Sequence, residues 1–490
     1  MRKNLLFLGC LAACSSPTGA PDSGHAEPDR GVRDASRDLA PDTPDVRMTA
    51  DAANDVGAPS AYQLEPTLPS TAELGMRRGQ RFVRGIIHAH SIHSHDACDG
   101  EPEVDGAPNE PCLADFRRAI CETRQDYVFL TDHEELAALR PYDDLLLMRA
   151  GDEAVTVDGA AVANRMSCDN GHEALILPGG EFGTMPIGLP AHLAGTPEER
   201  HAAYEEVTPE RVQALKDLGA VVLQAHAESK TRESLRSLGL DGFEVYQLHA
   251  NLDPDIRGDY LGLEPSVFLD ATIPFVQGRG GAADLVFLAF VEPNVPSIAH
   301  FDALVAEGQH LTGTAGTDCH QNALPIKMKD GERVDSYRRL MRWFTNYLLV
   351  PDVTPDSLKG AVRGGRLAIV FEAFGVPEGF DFRAESGGTA AELGGEVSLE
   401  SAPRLVLERP TVLGYGEVET RLAILRIEAD GAVVVAEGAD SLELAPTEPG
   451  AYRATVWIRP AHLRDHLQNE SVALADREYE WIWANPIYVR

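Results

Sequence analysis

Phe82-Val-Arg-Gly-Ile-Ile-His88-Ala-His90-Ser-Ile-His-Ser-His-Asp96 places a strand-like apolar run directly before a cluster of imidazoles and a carboxylate. The run Phe82 to Ile87 is short, apolar and partly β-branched, as a buried strand is. Side chains alternate along a strand, so His88 and His90 point to one side, which joint ligation of a metal ion requires. Taken alone, a His-x-His pair reads equally well as a polar strand end.

Recurrence along the chain decides between these readings. The strand candidate Tyr127 to Leu130 runs into Thr131-Asp132-His133, and Ala174 to Leu177 runs through Pro178 into Gly179-Gly180-Glu181. Ala220 to Leu223 leads to His226, and Leu311 to Gly316 leads to Asp318-Cys319-His320. Each time a hydrophobic run delivers a metal-competent side chain at its C-terminal end, where parallel α/β folds build their active sites. Repetition on this scale argues against chance polar strand ends. Gly242 to Tyr246 is a further strand candidate, and helical stretches fit at Leu113 to Cys121, Pro209 to Leu218 and Asp335 to Leu348. Strands alternating with helices predict a parallel sheet, open or closed into a barrel, over residues 61–370. The stretch from Asp253 to His310 is less regular and reads as an elaboration packed on that sheet.

After Gly364-Gly365-Arg366 the pattern changes to short apolar runs at Arg404 to Leu407, Arg421 to Ile427, Ala432 to Val435 and Tyr452 to Ile458, separated by Gly, Pro and Glu. That spacing predicts a C-terminal antiparallel β-sandwich over 371–490.

The motif series resembles the polymerase and histidinol phosphatase (PHP) superfamily over about Phe82 to Arg366: His88 to Asp96, Thr131-Asp132-His133, Gly180-Glu181, His192, His226 and Asp318-Cys319-His320. The resemblance implies an α/β fold, a distorted (β/α)7 barrel, with two or three divalent metal ions. One ion would take His88, His90, Glu181 and Asp318. A second would share Glu181 as a bridge and add His192 and His226. A third would take Asp96, His133 and His320, with His95 an alternative to Asp96. Glu181, Asp318 and His226 are the residues expected to carry catalysis, while His93 and Asp132 are expected to support the ligands or the fold.

Imidazole and carboxylate donors without thiolate suit Zn, Mn or Fe. Two cations bridged by a carboxylate, about 3.5–4 Å apart, can share a hydroxide that attacks an electrophilic centre, so no Ser or Cys nucleophile is needed. The expected function is therefore a metal-dependent hydrolase of a small-molecule ester, a phosphoesterase by analogy with the family. Carbamate or carboxylic esters are the alternative substrates. The rival from another class is a surface protein that holds metal without turnover, although a structural site needs only four ligands. Lys327, Lys329, Arg333, Arg338, Arg339 and Arg342 form the densest basic stretch; it could orient a phosphate, or be a solvated helix face.

The chain has 77 acidic and 43 basic residues and a net charge of −34, which repels nucleic acid. At the N-terminus, Arg2 and Lys3 precede the apolar run Leu5 to Ala13, which is too short to span a membrane. Leu11-Ala12-Ala13-Cys14 resembles the bacterial lipobox. The resemblance implies a signal peptide over 1–13 and a lipid on Cys14 that anchors the protein to the cell envelope, with Ser15 pointing to the outer membrane. Residues 14–60, rich in Pro, Asp and Ala, read as a disordered tether. Cys98, Cys112, Cys121, Cys168 and Cys319 remain after Cys10 and Cys14; an odd set leaves at least one free thiol, and Cys98 with Cys112 is the expected pair in an oxidising compartment.

Overall fold

A computed structural model describes Leu64 and residues 67–264, 266–289 and 291–490, with residues 267–269 described by backbone alone. The expected signal peptide, lipobox at Cys14 and tether fall outside the described residues. No described helix is long and apolar enough to cross a membrane.

The strand β1 (Arg81–Ala89) is the hub of a large mixed sheet. Its C-terminal half pairs in parallel with β2 (Tyr127–Phe129), Gly85 opposite Tyr127 and Ile87 opposite Phe129. β3 (Glu173–Leu177) continues in parallel beyond β2. On the other side lie β4 (Met185–Ile187), β5 (Val221–Gln224), β6 (Gly242–Gln247) and β7 (Thr312–Cys319), of which β5, β6, β7 and β1 run parallel in turn. The strands are short, β-branched or apolar and buried on both faces, as Ile86, Ile87, Val128, Val222 and Val245 show. Stacking these faces against helices such as Glu110–Glu122 and Pro209–Leu218 removes them from water.

The distorted (β/α)7 barrel that the resemblance implies is not seen as a closed one, although β5, β6, β7, β1, β2 and β3 run parallel as the alternation of strands and helices predicts. β4 runs antiparallel to β5. β3 and β4 meet only past the end of β3, around the isolated bridge of Gly179 with Ile187. There Gly180 N–H donates to the Pro186 carbonyl and Leu189 N–H to the Pro178 carbonyl. Pro178 has no N–H to extend a ladder. Gly179 is required at this crossing, since a Cβ on it would lie 2.5 Å from the Leu130 carbonyl oxygen.

Nor is a free-standing C-terminal sandwich seen. β8 (Thr345–Val350) pairs antiparallel with the first half of β1, and β9 (Leu367–Val370) with β8. The long strands β10 (Glu419–Glu428), β11 (Gly431–Gly438), β12 (Gly450–Arg459) and β13 (Tyr479–Val489) then carry the same sheet to its edge, because Ile482 to Ala484 pair with Ala368 to Val370. A separate four-stranded sheet contains Asp381–Ser386, Thr389–Glu392, Arg404–Glu408 and Leu442–Leu444.

The helix expected over Asp335 to Leu348 is only Tyr337–Trp343, started by the Ser336 side chain accepting from Arg339 N–H. Thr345 onward becomes β8, since a residue set of Thr, Asn, Tyr, Leu, Leu and Val suits a doubly buried strand. Cys98 is disulfide-bonded to Cys112 and Cys121 to Cys168, leaving Cys319 as a buried free thiol among the described residues.

Candidate metal centre

The C-terminal ends of β1, β6 and β7 and the segments after β2, β3 and β5 converge at one end of the sheet. The chain leaves β1 by an unusual backbone, His88 having φ +82°, and His226 and Asp318 also sit in the left-handed region at φ +50°. Non-glycine residues occupy that region at a cost and cluster where function requires them. The three strained residues here each deliver a side chain to the same point.

His88 Nε2 lies 3.1 Å from Glu181 Oε2, 3.2 Å from Asp318 Oδ1 and 3.1 Å from His90 Nε2. His90 Nε2 is 3.2 Å from Asp318 Oδ1, and His320 Nε2 is 3.1 Å from the same oxygen. His133 Nε2 and His320 Nε2 approach Asp96 Oδ2 at 3.5 and 3.6 Å. The structure therefore brings His88, His90, Glu181 and Asp318 together, and beside them Asp96, His133 and His320. Asp96, not His95, faces this group: His95 turns outward to Glu135 at 3.3 Å, and both side chains are about half exposed.

Two carboxylates span the cluster. Glu181 turns Oε2 toward His88 and His90, and Oε1 toward His226 Nε2 at 3.3 Å. Asp318 turns Oδ1 toward His88, His90 and His320, and Oδ2 toward His226 at 3.4 Å and His249 at 3.0 Å. Glu181, His133 and His226 have side chains 14, 20 and 21% exposed, whereas His88 and His90 are fully buried, so the mouth opens over the first three.

His192 does not join the cluster. Its ring nitrogens lie 3.2 Å from the Tyr204 hydroxyl and 2.9 Å from the Arg140 carbonyl, so the loop that carries it is tied to another wall. His249 stands where His192 was expected, grouped with His226 and Asp318. It follows β6, on the short helix Leu248–Leu252 started by the Gln247 side chain. Its signal was legible: β6 also delivers an imidazole just past its C-terminal end, two residues beyond Gln247.

A layer of buried partners fixes the outward sides of these residues. Glu244 Oε1 is 2.6 Å from His88 Nδ1, and the Ser94 hydroxyl is 2.9 Å from His90 Nδ1 while donating to Asp96. Glu228 Oε1 is 3.3 Å from His226 Nδ1, and Gln247 donates to Asp318 Oδ2 at 2.7 Å. Partners of this kind set the tautomer and aim of a metal ligand. Asp132 accepts from the Ser91 backbone N–H and hydroxyl, and His93 Nε2 is 3.0 Å from the Asp144 carbonyl, so both brace the loop after β1.

The basic stretch is divided: Lys327 and Lys329 are exposed, whereas the arginines that follow are drawn into ion pairs within the fold. Arg338 makes a two-pronged contact with Asp284 at 2.7 and 2.9 Å, Arg339 also binds Asp284, and Arg333 binds Asp99 and Asp335. These guanidinium groups are largely buried and already neutralised.

A cation fits the donors. Asp318 Oδ1 is buried and accepts no well-formed hydrogen bond although three imidazole nitrogens crowd it. Burial opposes charge on His88, yet Asp318, Glu244 and Glu181 outweigh it and hold its pKa well above the ordinary imidazole value. Burial likewise opposes charge on His133, and Asp96 and Glu181 still push it up to about 10. Burial would raise Glu181 and Asp318, but the surrounding imidazoles keep both well below the carboxylate range. The pocket thus demands positive charge, which protons supply when metal does not. Burial pushes the Cys319 thiol strongly up, so it offers no thiolate.

His88, His90, Glu181 and Asp318 form one candidate ion-binding group, His90, Asp96 and His133 a second, and His226, His249 and Asp318 a third. Overlapping groups of imidazoles and carboxylates, capable of holding two or three divalent ions, are the chemistry of a metal-dependent hydrolase.

No family model matches the chain, and no curated protein does. One solved structure is similar. It is a two-domain protein from Bacteroides vulgatus described as containing a predicted PHP-like metal-dependent phosphoesterase, with a TM-score of 0.31 and 11% identity over 85% of this chain and 98% of that one. The likeness is low, and the side chains described above decide the chemistry.

Proposed function

We propose that the chain is a PHP-type metallohydrolase that cleaves a small phosphate ester. The observation that carries this reading is the convergence of His88, His90, His133, His226, His249 and His320 on Asp96, Glu181 and Asp318, with Asp318 Oδ1 buried and unsatisfied. His88, His90, Glu181 and Asp318 would hold one ion, Glu181, His226, His249 and Asp318 a second, and Asp96, His133 and His320 a third. Zn, Mn or Fe, once bound, would activate water and stabilise charge developing on the substrate. Glu181 and Asp318 would bridge ions, a reading supported by each oxygen of either carboxylate facing a different group of imidazoles. His226, at the mouth, would both hold an ion and border the substrate.

A second reading, hydrolysis of a carbamate or carboxylic ester, has its own support. Three of the cations that would orient a phosphate, Arg333, Arg338 and Arg339, are committed to Asp99, Asp335 and Asp284, whereas Lys327 and Lys329 are exposed. Lipid attachment at Cys14 and residence at the outer membrane belong to the same proposal, with two disulfides in accord with an oxidising compartment.

The test is metal content by mass spectrometry together with hydrolysis of 4-nitrophenyl phosphate, bis(4-nitrophenyl) phosphate and 4-nitrophenyl acetate. Bound transition metal with phosphoester turnover supports the proposal. Turnover of the acetate alone moves the substrate to the second reading. Folded, metal-loaded protein without turnover on any ester returns the chain to a metal-holding surface protein.

A further inference from the structure

Glu244 is buried completely beneath the cluster, and both of its oxygens face the backs of proposed ligands. Oε1 lies 2.6 Å from His88 Nδ1 and Oε2 accepts from the His226 backbone N–H at 3.0 Å. The first contact keeps the His88 proton on Nδ1 and leaves Nε2 to the ion. The second ties down the backbone of His226, a non-glycine residue in the left-handed region.

The fold makes deliberate room for this carboxylate. The register of β6 against β7 shifts between Glu244 and Tyr246, a bulge of the kind that re-aims a side chain beside a site. On β7, where Thr314 is the residue paired with Glu244, the carboxylate reaches along to Gly316, on which a Cβ would fall 2.0 Å from Glu244 Oε1 and 2.5 Å from its Cδ. A glycine at that point gives the carboxylate its space.

His88 belongs to the group with His90, Glu181 and Asp318, while His226 belongs to the group with His249 and Asp318. We propose that Glu244 is a positioning residue shared by two metal subsites, aiming one ligand of each, and that it takes no part in the Asp96, His133 and His320 subsite. This rests on the metallohydrolase reading. Because a single side chain orients both ligands, its loss weakens two ions together and spares the third.

The experiment loads the full chain with Zn²⁺ and measures retention against a competing chelator for wild type, Glu244→Gln, Gly316→Ala, and Glu244→Gln combined with His133→Ala. In Glu244→Gln, two ions weaken by about 10–100-fold while one keeps its wild-type affinity. Gly316→Ala reproduces that selective loss by displacing the carboxylate, and the combined variant retains no ion at a chelator concentration that leaves Glu244→Gln with one. Metal-free Glu244→Gln stays folded by circular dichroism, and the imidazole NMR signals of His88 shift in it while those of His320 do not. Wild-type retention of every ion in Glu244→Gln, or equal weakening of all, overturns the role of Glu244 and leaves the hydrolase reading intact. A wild-type chain that takes up no Zn²⁺ overturns both.

Discussion

At the scale of single residues, two histidines separate a reading by motif from a reading by position. His192 has both ring nitrogens engaged by Tyr204 and the Arg140 carbonyl, whereas His249 Nδ1 is 3.0 Å from Asp318 Oδ2. His249→Ala is therefore expected to remove one ion and lower turnover by about 10²-fold or more, a few kcal/mol of transition-state stabilisation. His192→Ala keeps full metal content, which mass spectrometry of the two purified variants checks; the reverse pattern would restore His192 as the ligand. Glu181→Ala should release more than one ion, because its two oxygens face His88 and His226 separately. Retention of full stoichiometry in that variant contradicts a bridging role. The sequence carried His88, His90, His133, His226, Asp318 and His320 because each follows an apolar run closely. It carried His249 equally, but a helix start at Gln247 intervenes and hides the strand end. Glu244 was not legible at all, since nothing local distinguishes a strand glutamate that points inward from one that meets solvent.

Among elements, the strands whose side chains announce double burial were readable, and their partners were not. Phe82 to Ile87 and Gly242 to Tyr246 are strands as their composition predicts. That β1 pairs with β2 and β7 along one half and with β8 along the other depends on contacts between residues far apart in the chain, hundreds of residues apart for β7 and β8, which no window of sequence contains. The basic helix shows the same limit, since Arg338 and Arg339 find Asp284 only through the fold. The junction of β1 with β8 holds a fully sheltered ion pair. Arg84 and Glu372 are both fully buried at 2.6 Å, and the Tyr347 hydroxyl donates to the same carboxylate. Removing one partner strands a charge, so Glu372→Ala is expected to cost about 3–5 kcal/mol of stability. Urea unfolding of the metal-free variant measures this, and a loss below about 1 kcal/mol would show that water reaches Arg84. Glu372→Gln retains an acceptor and should cost less.

For the molecule as a whole, acidity and the shared sheet meet at Glu480 on β13. Its Oε2 is buried without a hydrogen-bond partner among the described residues, and burial pushes its pKa up from 4.5 to about 7. A carboxyl whose folded pKa is raised binds its proton more tightly in the native state, so its penalty is absent below about pH 4.5 and grows as pH rises to about 7. The whole penalty is then up to about 3 kcal/mol. The net charge of −34 acts in the same direction, since self-repulsion grows as carboxylates ionise. Asp284 opposes both at lower pH: burial would raise its pKa, but Arg339 and Arg338 depress it, so its pairs are lost only on further acidification. Comparing wild type with Glu480→Gln cancels the shared terms. The variant should equal wild type near pH 4.5 and exceed it by up to about 3 kcal/mol at pH 8, in urea unfolding at both values. A constant difference across that range would mean that Glu480 is hydrated in the native sheet, and the pH dependence would then fall to the surface charge alone.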